Sequence, residues 1–565
     1  MNRDTYTLPR KRLHPMPFIK PFLCILITGL SSTLFGAGGT VEADRKELSL
    51  PLLSKKMVIA HNMTGNFYNA TGERVELYDP TGTTAPLGGL WQVARMDALL
   101  DKGKPFDENK VAKQEIKAAM ALGIDGFQFF FPLHANDGFM TRYSKSVMAH
   151  IRAAKRYYPD FKITLCYCSP TQKDEAYKIN RWAKYLKMIL TEPGADDVWL
   201  KTPDGRYIFY TWCGDSIIDE LENKHFNIRQ HPELLARVAW AYEEIGHQAG
   251  IQATTIHHFR FSDDKTFVNE FWKYFGAGWT WTENLEALDT FKKAADLAKK
   301  KKRTFSITCY PDYYTSKVYP KGGGQMFYGN QIDEMVAQGV DHLERHAQQT
   351  DLSRVYRSLL DFAIENDVPL ISYCTWNDFG EGHHLAPEIN HNFTPGILLN
   401  YYKRIWQENP QPVDKDTILL FYKKYAATIE PEPFNIHVHT KKTTGTAHGE
   451  EGVEIITLLN TPGTVYYNGG KVGTAGKGMT VFKTPSQLGE ITVEVRRSGE
   501  TAVAVTPPEW ITDKPYRTDR ITYMYSSRFQ EYFDEIYGPD RTPPVSDEYA
   551  EDAKGTPNWK NRYGF

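Results

Sequence analysis

The sequence has 565 residues, 41% of them hydrophobic, 13% aromatic and 24% charged, which excludes a disordered or fibrous chain and allows a large core with a smaller second one. Lys and Arg number 67 against 69 for Asp and Glu, a formal net charge of -2, so we expect no nucleic-acid partner and no attraction to anionic membranes. The 33 Tyr, 30 Phe and 12 Trp residues are typical of proteins whose aromatic rings stack on sugars.

The N-terminal segment has the pattern of an export signal. Basic residues at 10–12 and at Lys20 precede an apolar run from Phe22 to Leu30, and small residues follow at Gly36, Ala37 and Ala43. The apolar run is shorter than the about 20 residues that a membrane-spanning helix needs. We therefore predict a signal peptide over residues 1–43, a secreted or periplasmic protein, and no membrane span after its removal.

Residues 50–410 predict a catalytic domain of the α/β class. Short apolar runs alternate with amphipathic segments such as 174–190, where Ile179, Trp182, Leu186 and Ile189 recur at helical spacing. Eight such units indicate a (β/α)8 TIM barrel, in which the residues following the strands meet in one cleft. The predicted strands are 57–60, 126–131, 162–168, 207–211, 252–256, 278–281, 304–308 and 370–375.

Beyond a Pro-rich linker the pattern of the chain changes. Short alternating runs with Gly-rich turns, among them the hairpin signal Asn468-Gly469, predict a small antiparallel β-sandwich domain over residues 430–507. The tail, residues 508–565, is rich in aromatic residues around 523–533, and we expect it to pack back on a domain as a short helix, with a loosely held end.

The densest cluster of chemically active side chains is at 371–384. An apolar strand leads into Asp378 and Glu381, with Trp376, Asn377 and two histidines beside them. Hydrolysis of a glycosidic bond needs two carboxyl groups, one to protonate the leaving oxygen and one, ionised, to activate water or attack the anomeric carbon. The cluster therefore predicts a glycosidase site, with a solvated loop or a helix cap as the alternative.

The segment from Trp376 to Pro387 resembles the W-N-D-Y-G-E-S-H-Y-I-G-P signature of glycoside hydrolase family 71, the α-1,3-glucanases or mutanases. Residues 58–66 resemble the first strand of that family, A-H-x-M-x-G-N, and residues 123–127 resemble its second, G-I-D-A-F. Residues 310–315 match its S-P-W-F-Y-T stretch more loosely. The resemblance covers the predicted barrel from about 57 to 400.

The resemblance implies a (β/α)8 barrel that hydrolyses α-1,3-glucan with inversion, with Asp378 and Glu381 as the catalytic pair. We assign Glu381 as general acid and Asp378 as the base that aligns water. Phe379, Gly382 and His384 replace the Tyr, Ser and Tyr of the signature, so the α-1,3 specificity follows less directly than glycosidase activity. The endo-acting mannosidases and mannanases of family 99 share a similar W-N-E-W-G-E sequence. A hydrolase of a mannan-type polysaccharide and a non-catalytic, glycan-binding surface protein are the alternatives.

Polar and aromatic residues after the other predicted strands complete the predicted site, and its partner is a polysaccharide or oligosaccharide. We expect no metal and no cofactor, because the paired histidines at 257–258 and 383–384 point to opposite faces of a strand. The reserve carboxylates are Asp215, Glu283 and Asp312. The predicted substrate-binding residues are His61, Asn66, Trp212, Tyr310, Tyr313, Trp376, Asn377 and His383.

Overall fold

A computed structural model describes most of the chain from residue 52 to residue 543. The described ranges are 52–64, 96–101, 104, 106–168, 174–221, 228–259, 264–282, 285–321, 327–328, 337–339, 342–348, 350–429, 437–442, 451–513 and 521–543. The predicted signal, residues 1–43, and the last part of the tail lie outside these ranges. In the described ranges, no helix combines the length and the apolar composition that crossing a membrane requires.

Strands and helices alternate through the first two thirds of the described chain. In chain order the strands are Met57–Asn62 (β1), Gly126–Pro132 (β2), Lys162–Cys168 (β3), Tyr207–Trp212 (β4), Ala253–His258 (β5), Ala277–Trp279 (β6), Thr304–Cys309 (β7), Tyr314–Pro320 (β8), Phe327–Tyr328 (β9), His342–Ala347 (β10), Leu370–Tyr373 (β11), Thr417–Lys423 (β12), His437–Lys442 (β13), Val453–Leu459 (β14), Gly463–Tyr467 (β15), Gly470–Ala475 (β16), Gly478–Thr484 (β17), Val493–Arg497 (β18), Glu500–Val505 (β19) and Thr522–Ser526 (β20).

Helices follow most of the early strands and cover the outside of the fold. Several begin at a side-chain cap, as where Asp264 accepts hydrogen bonds from the N–H groups of Thr266 and Phe267. The helices are Met96–Leu100 (α1), Glu108–Ala121 (α2), Asp137–Tyr157 (α3), Glu175–Leu190 (α4), Ala195–Val198 (α5), Leu235–Ala249 (α6), Lys265–Tyr274 (α7), Leu288–Lys300 (α8), Arg354–Glu365 (α9), Thr394–Trp406 (α10) and Phe529–Tyr537 (α11).

Eight parallel strands close into a barrel, which confirms the predicted fold class. Around the barrel the order is β1, β11, β7, β6, β5, β4, β3 and β2, and β2 pairs again with β1. Each of the eight predicted strands coincides with one of these barrel strands. Their carboxyl ends therefore meet at one rim, where the predicted site residues follow them.

Alternation of side chains along each strand separates the interior of the barrel from the layer under the helices. In β1, Met57 and Ile59 join the interior cluster, whereas Val58 and Ala60 pack toward the helices. The interior cluster is closed at the carboxyl ends by the large ring of Trp279. The barrel is thus a filled core, and any cleft lies above it at the rim.

The remaining strands form three further sheets. Strands β8, β9 and β10, which lie between β7 and β11 in the chain, form a four-stranded sheet with β13, which follows β12. Two antiparallel sheets follow, in the orders β17-β14-β12-β20 and β16-β15-β18-β19, and they confirm the predicted sandwich architecture. Strands β12 and β20 belong to it although they lie outside the predicted range 430–507.

Strand β20 and helix α11 connect the tail to the barrel. The N–H of Met524 donates to the carbonyl of Asn390 at 2.8 Å, and the amide of Asn392 donates to the carbonyl of Met524 at 2.5 Å. The ring of Phe529 lies 5.3 Å from that of Phe393, just before α10. Part of the tail is thus a short helix, Phe529–Tyr537, that packs on the fold.

Candidate active site

The loop after β11 carries both predicted catalytic residues and is fixed at both ends. At its start, the N–H of Trp376 donates to the carbonyl of His61 on β1 at 2.6 Å. The N–H of the preceding residue, Thr375, donates to the carbonyl of His383 at 2.7 Å, which joins the start of the loop to its end and folds the loop back on itself. Gly382 makes the reversal possible because its φ of +77° lies in the left-handed region that favours glycine.

Asp378 and Glu381 meet at the rim of the barrel. One carboxylate oxygen of each, together with one ring nitrogen of His383, lie within 4.8 Å of one another. The side chain of Asp378 is 12% exposed and that of Glu381 is 20% exposed, whereas His383 is buried beneath them. The structure therefore brings together two carboxyl groups that a small molecule can reach and an imidazole that supports them.

Among the described contacts of Glu381, those of two side chains are to its Oε2 atom. The hydroxyl of Tyr313 donates to it at 3.0 Å, and Nε2 of His383 lies 3.1 Å away. The rings of Tyr313 and His383 stack with centroids 5.2 Å apart. Burial and the negative charge of Glu381 raise the pKa of Tyr313, so the phenol keeps its proton and acts as a donor.

A thiol lies on the other side of His383. Sγ of Cys374 lies 3.8 Å from Nδ1 of His383, and burial together with the charges of Asp378 and Glu381 raises the pKa of this thiol. The thiol keeps its proton and can donate it to Nδ1, and in that arrangement Nε2 carries the proton that faces Glu381. Both described contacts to Oε2 of Glu381 are then donors, and donors favour the ionised carboxylate.

Aromatic side chains line the rim beside the carboxyl pair. Trp212 at the end of β4 and Trp281 after β6 are half-buried, and their rings lie 5.1 Å apart. Trp281 also meets the edge of His383 at 6.0 Å, while Phe130 and His258 on neighbouring strands are half-buried as well. Flat, partly exposed rings next to two carboxyl groups form a surface on which a sugar ring can stack.

Trp281 is a site residue that the sequence analysis missed. It ends the predicted strand 278–281, and the alternation of that strand was a usable signal. Since Trp279 fills the barrel interior, the position two residues later faces the same way, one layer nearer the rim. The same alternation turns His258 toward the rim. The preceding residue, His257, faces the helices, where its ring stacks on Phe275 with centroids 4.1 Å apart.

Several predicted substrate-binding residues lie away from the open rim. Trp376 is 1% exposed, and its Nε1 donates to Glu115 of α2 at 2.8 Å, behind the barrel wall. Asn377 is fully buried, where its side-chain oxygen accepts the N–H of Met63 at 2.6 Å. Tyr310 is 1% exposed in the main core. These three side chains shape the loop and the core around the site.

His61 lies beneath the aromatic residues of the rim. It is 1% exposed, and its ring meets the edge of Trp281 at 5.2 Å and that of Phe130 at 5.8 Å. Burial lowers the pKa of His61 to about 3, so this imidazole is neutral at physiological pH. Asn66 lies outside the described residues.

The two reserve carboxylates that the structure describes do not join the carboxyl pair. Asp215 lies 3.1 Å from Nε2 of His257, on the helix-facing side of β5. Asp312 is fully buried and accepts the N–H of Thr522 from β20 at 2.6 Å. Glu283 lies outside the described residues.

Two clusters of three side chains have the composition of a metal site among the described residues. One is Asp378, Glu381 and His383 at the rim. The other is made of His384, Glu388 and His391, which are fully buried behind the loop.

No protein-family model and no curated protein matches the sequence. Among solved structures, a family 99 endo-α-mannosidase from Bacteroides thetaiotaomicron aligns with 62% of this chain and 97% of its own at 12% identity and a TM-score of 0.43. An endo-β-1,4-mannanase from Thermotoga petrophila aligns with 81% of this chain and 98% of its own at 8% identity and a TM-score of 0.35. Likenesses this remote assign no activity to the chain.

Proposed function

We propose that this protein is a glycoside hydrolase whose catalytic pair is Asp378 and Glu381. The observation that carries the proposal is the meeting of these two carboxyl groups within 4.8 Å at the open rim of the barrel. The half-buried rings of Trp212 and Trp281 lie beside them. Two accessible carboxyl groups next to a stacking surface supply what cleavage of a glycosidic bond requires.

The contacts of Glu381 support a division of roles opposite to the one predicted from sequence. Tyr313 donates to Oε2 of Glu381, and Nε2 of His383, 3.1 Å from the same oxygen, is a second donor when Cys374 donates to Nδ1. Donors favour the ionised form. We therefore infer that Glu381 is the ionised member, which attacks the anomeric carbon or activates water. Asp378 is then the proton donor to the leaving oxygen.

The distance between the two carboxyl groups bears on whether the anomeric configuration is retained or inverted. The nearest oxygens of Asp378 and Glu381 lie within 4.8 Å, whereas inverting enzymes hold their carboxyl groups about 6.5–9.5 Å apart to admit a water. Retaining enzymes hold them about 5–5.5 Å apart. We therefore favour retention through attack by Glu381, in place of the inversion that the resemblance to family 71 implies.

The substrate class rests on the signature around the pair. The resemblance of 376–387 to the α-1,3-glucanases makes an α-glucan, and α-1,3-glucan first, the proposed substrate. A mannan-type polysaccharide is the second, because family 99 has a similar sequence at this position. Export through residues 1–43 would give the enzyme access to such polymers outside the cytoplasm.

The first experiment measures new reducing ends from a panel of α-1,3-glucan, α-mannan and β-mannan. We expect release from the α-1,3-glucan, and losses of about 10²–10⁴-fold in rate in Asp378→Asn and in Glu381→Gln. Asp215→Asn is the matched control, because this carboxyl faces the helices and should leave the rate unchanged. Binding without release from any polymer would make the protein a glycan-binding scaffold instead.

A second experiment separates the two roles. On an aryl glycoside with a good leaving group, a proton donor is dispensable for the first step, so Asp378→Asn should still release a rapid burst of the aryl alcohol, followed by slow turnover because the second step uses the same residue as base. Glu381→Gln should remain inactive on the same substrate. The opposite pattern would restore the assignment of Glu381 as acid, and NMR of the first-formed anomer would report retention or inversion directly.

A further inference from the structure

Directly behind the carboxyl pair, a second group of ionisable side chains is sealed inside the protein. His384, Glu388, His391 and Asp312 are each at most 1% exposed. Ligand atoms of the first three lie within 4.8 Å of one another. Buried polar groups are stable only when they are hydrogen-bonded or hold an ion, so the contacts of these side chains indicate what the cluster does.

The ring nitrogens of the cluster are close to a carboxylate but not bonded to it. Oε1 of Glu388 lies 3.4 Å from Nε2 of His384 and 3.5 Å from Nδ1 of His391. Within the part of the chain that the structure describes, none of the four ring nitrogens of the two histidines makes a hydrogen bond. Two atoms that bind zinc tetrahedrally at about 2.1 Å are about 3.4 Å apart. The spacing thus fits ligands around a common ion.

A second layer of contacts holds these side chains in place. Oδ2 of Asp312 lies 3.6 Å from Nε2 of His391, on the ring atom opposite to the one that faces Glu388. The carboxylate of Glu388 accepts main-chain N–H groups of Asn390, at 2.6 Å, and of His391. A carboxylate behind a ligating histidine and hydrogen bonds to a ligating carboxylate are the usual outer contacts of a metal site.

The chemistry of the three side chains suits a cation. Two imidazoles and one carboxylate form a donor set that zinc and related transition metals prefer.

We propose that His384, Glu388 and His391 bind a divalent transition-metal ion of the zinc type, with Asp312 orienting His391. This site differs from the catalytic pair, and the proposal does not depend on the glycosidase assignment. Each of two residues at the carboxyl pair is the neighbour of a cluster residue, since His383 precedes His384 and Tyr313 follows Asp312. The ion would therefore fix both supports of Glu381 from behind.

The test begins with the full-length protein stripped of metal by a chelator and dialysed. Zn²⁺ is added, bound metal is counted by mass spectrometry, and thermal unfolding is followed by calorimetry. We expect one Zn²⁺ per chain bound at micromolar or lower concentration, with a higher Tm. Failure of the stripped wild type to bind Zn²⁺ at one per chain would overturn the proposal, and would identify the cluster as one filled by water or protonated histidine.

Variants then locate the ion. His391→Gln and Glu388→Gln should weaken Zn²⁺ binding more than about 100-fold, and Asp312→Asn by about 10–100-fold, as loss of an outer contact does. His150→Gln is the matched control, because His150 forms a buried contact with Glu115 at 3.0 Å elsewhere, and it should bind Zn²⁺ normally. Loss of the ion in Glu381→Gln with retention in His391→Gln would place it at the carboxyl pair and overturn the proposal.

Discussion

At the scale of single residues, the buried side chain of Tyr313 acts directly on the carboxylate of Glu381. Its hydroxyl is the donor to Oε2 of Glu381 at 3.0 Å, and its ring stacks on His383 with centroids 5.2 Å apart. The phenol keeps its proton because burial and the Glu381 charge raise its pKa. One side chain therefore both donates a hydrogen bond to Glu381 and packs against the imidazole beneath it.

Removal of that hydroxyl should lower the rate without unfolding the protein. A hydrogen bond to a charged group contributes about 1.5–3 kcal/mol, so we expect Tyr313→Phe to lower kcat by about 10–100-fold while the phenyl ring keeps its stacking. Steady-state kinetics on the best polymer of the panel is the measurement.

The matched control for this variant is Tyr242→Phe. The hydroxyl of Tyr242 is buried and donates to the carbonyl of Gly214 at 2.8 Å, away from the pair. This variant should lose stability and keep its kcat. Equal kcat values for Tyr313→Phe and wild type would show that the contact to Glu381 has no part in turnover.

At the scale of elements, the reversal of the loop after β11 depends on one glycine. A Cβ at Gly382 would lie 2.9 Å from the carbonyl oxygen and 3.0 Å from the amide nitrogen of Tyr314, at the start of β8. The φ of +77° adds strain for any other residue. The Ser of the family 71 signature therefore fits this position only if the loop or β8 shifts.

Gly382→Ala should lower the free energy of unfolding by about 1–3 kcal/mol and displace the catalytic residues, so activity should fall as well. Gly205→Ala is the matched control, because Gly205 has a φ of +90° and a Cβ added there would meet nothing within 4 Å. Chemical denaturation of both variants separates backbone strain from steric contact. Equal losses of unfolding free energy in the two variants would mean that the steric contact with β8 does not affect stability.

The barrel strands were predictable from sequence because each is an apolar run buried on both faces. The sequence predicted less well which way the side chains at the ends of the strands point. Trp376 was predicted to bind substrate because a flat indole can stack on a sugar. In the structure its indole N–H donates to the carboxylate of Glu115, 261 residues away, behind the barrel. The cluster around Glu388 was not expected at all, since its fourth member, Asp312, comes from a different segment. Such partners are set by tertiary packing, which local patterns do not report.

At the scale of the whole molecule, the barrel and the sandwich share hydrogen bonds and a common core. Strand β20 contributes main-chain groups to Asn390 and Asn392 and to Asp312. The main hydrophobic cluster runs from β1 to α11 without interruption. We therefore expect the two parts to unfold together.

A core substitution far from the site tests this expectation. Val495 on β18 is fully buried, and Val495→Ala should remove roughly 1.5–3 kcal/mol of stability. Calorimetry should show one transition at a lower Tm, and the temperature at which activity is lost should fall with it. Thr501→Ala on the exposed face of β19 is the control and should change neither. A second transition, together with an unchanged temperature of activity loss, would show that the barrel and the sandwich unfold independently.

Strand β20 has a practical consequence for protein engineering. It is hydrogen-bonded to β12 along one edge, and its backbone at Thr522 and Met524 is shared with segments next to the carboxyl pair. A chimera that exchanged the sandwich as a cassette cut near residue 410 would leave Asp312 and Asn390 without those partners. A functional graft would have to carry Thr522–Ser526 with the barrel.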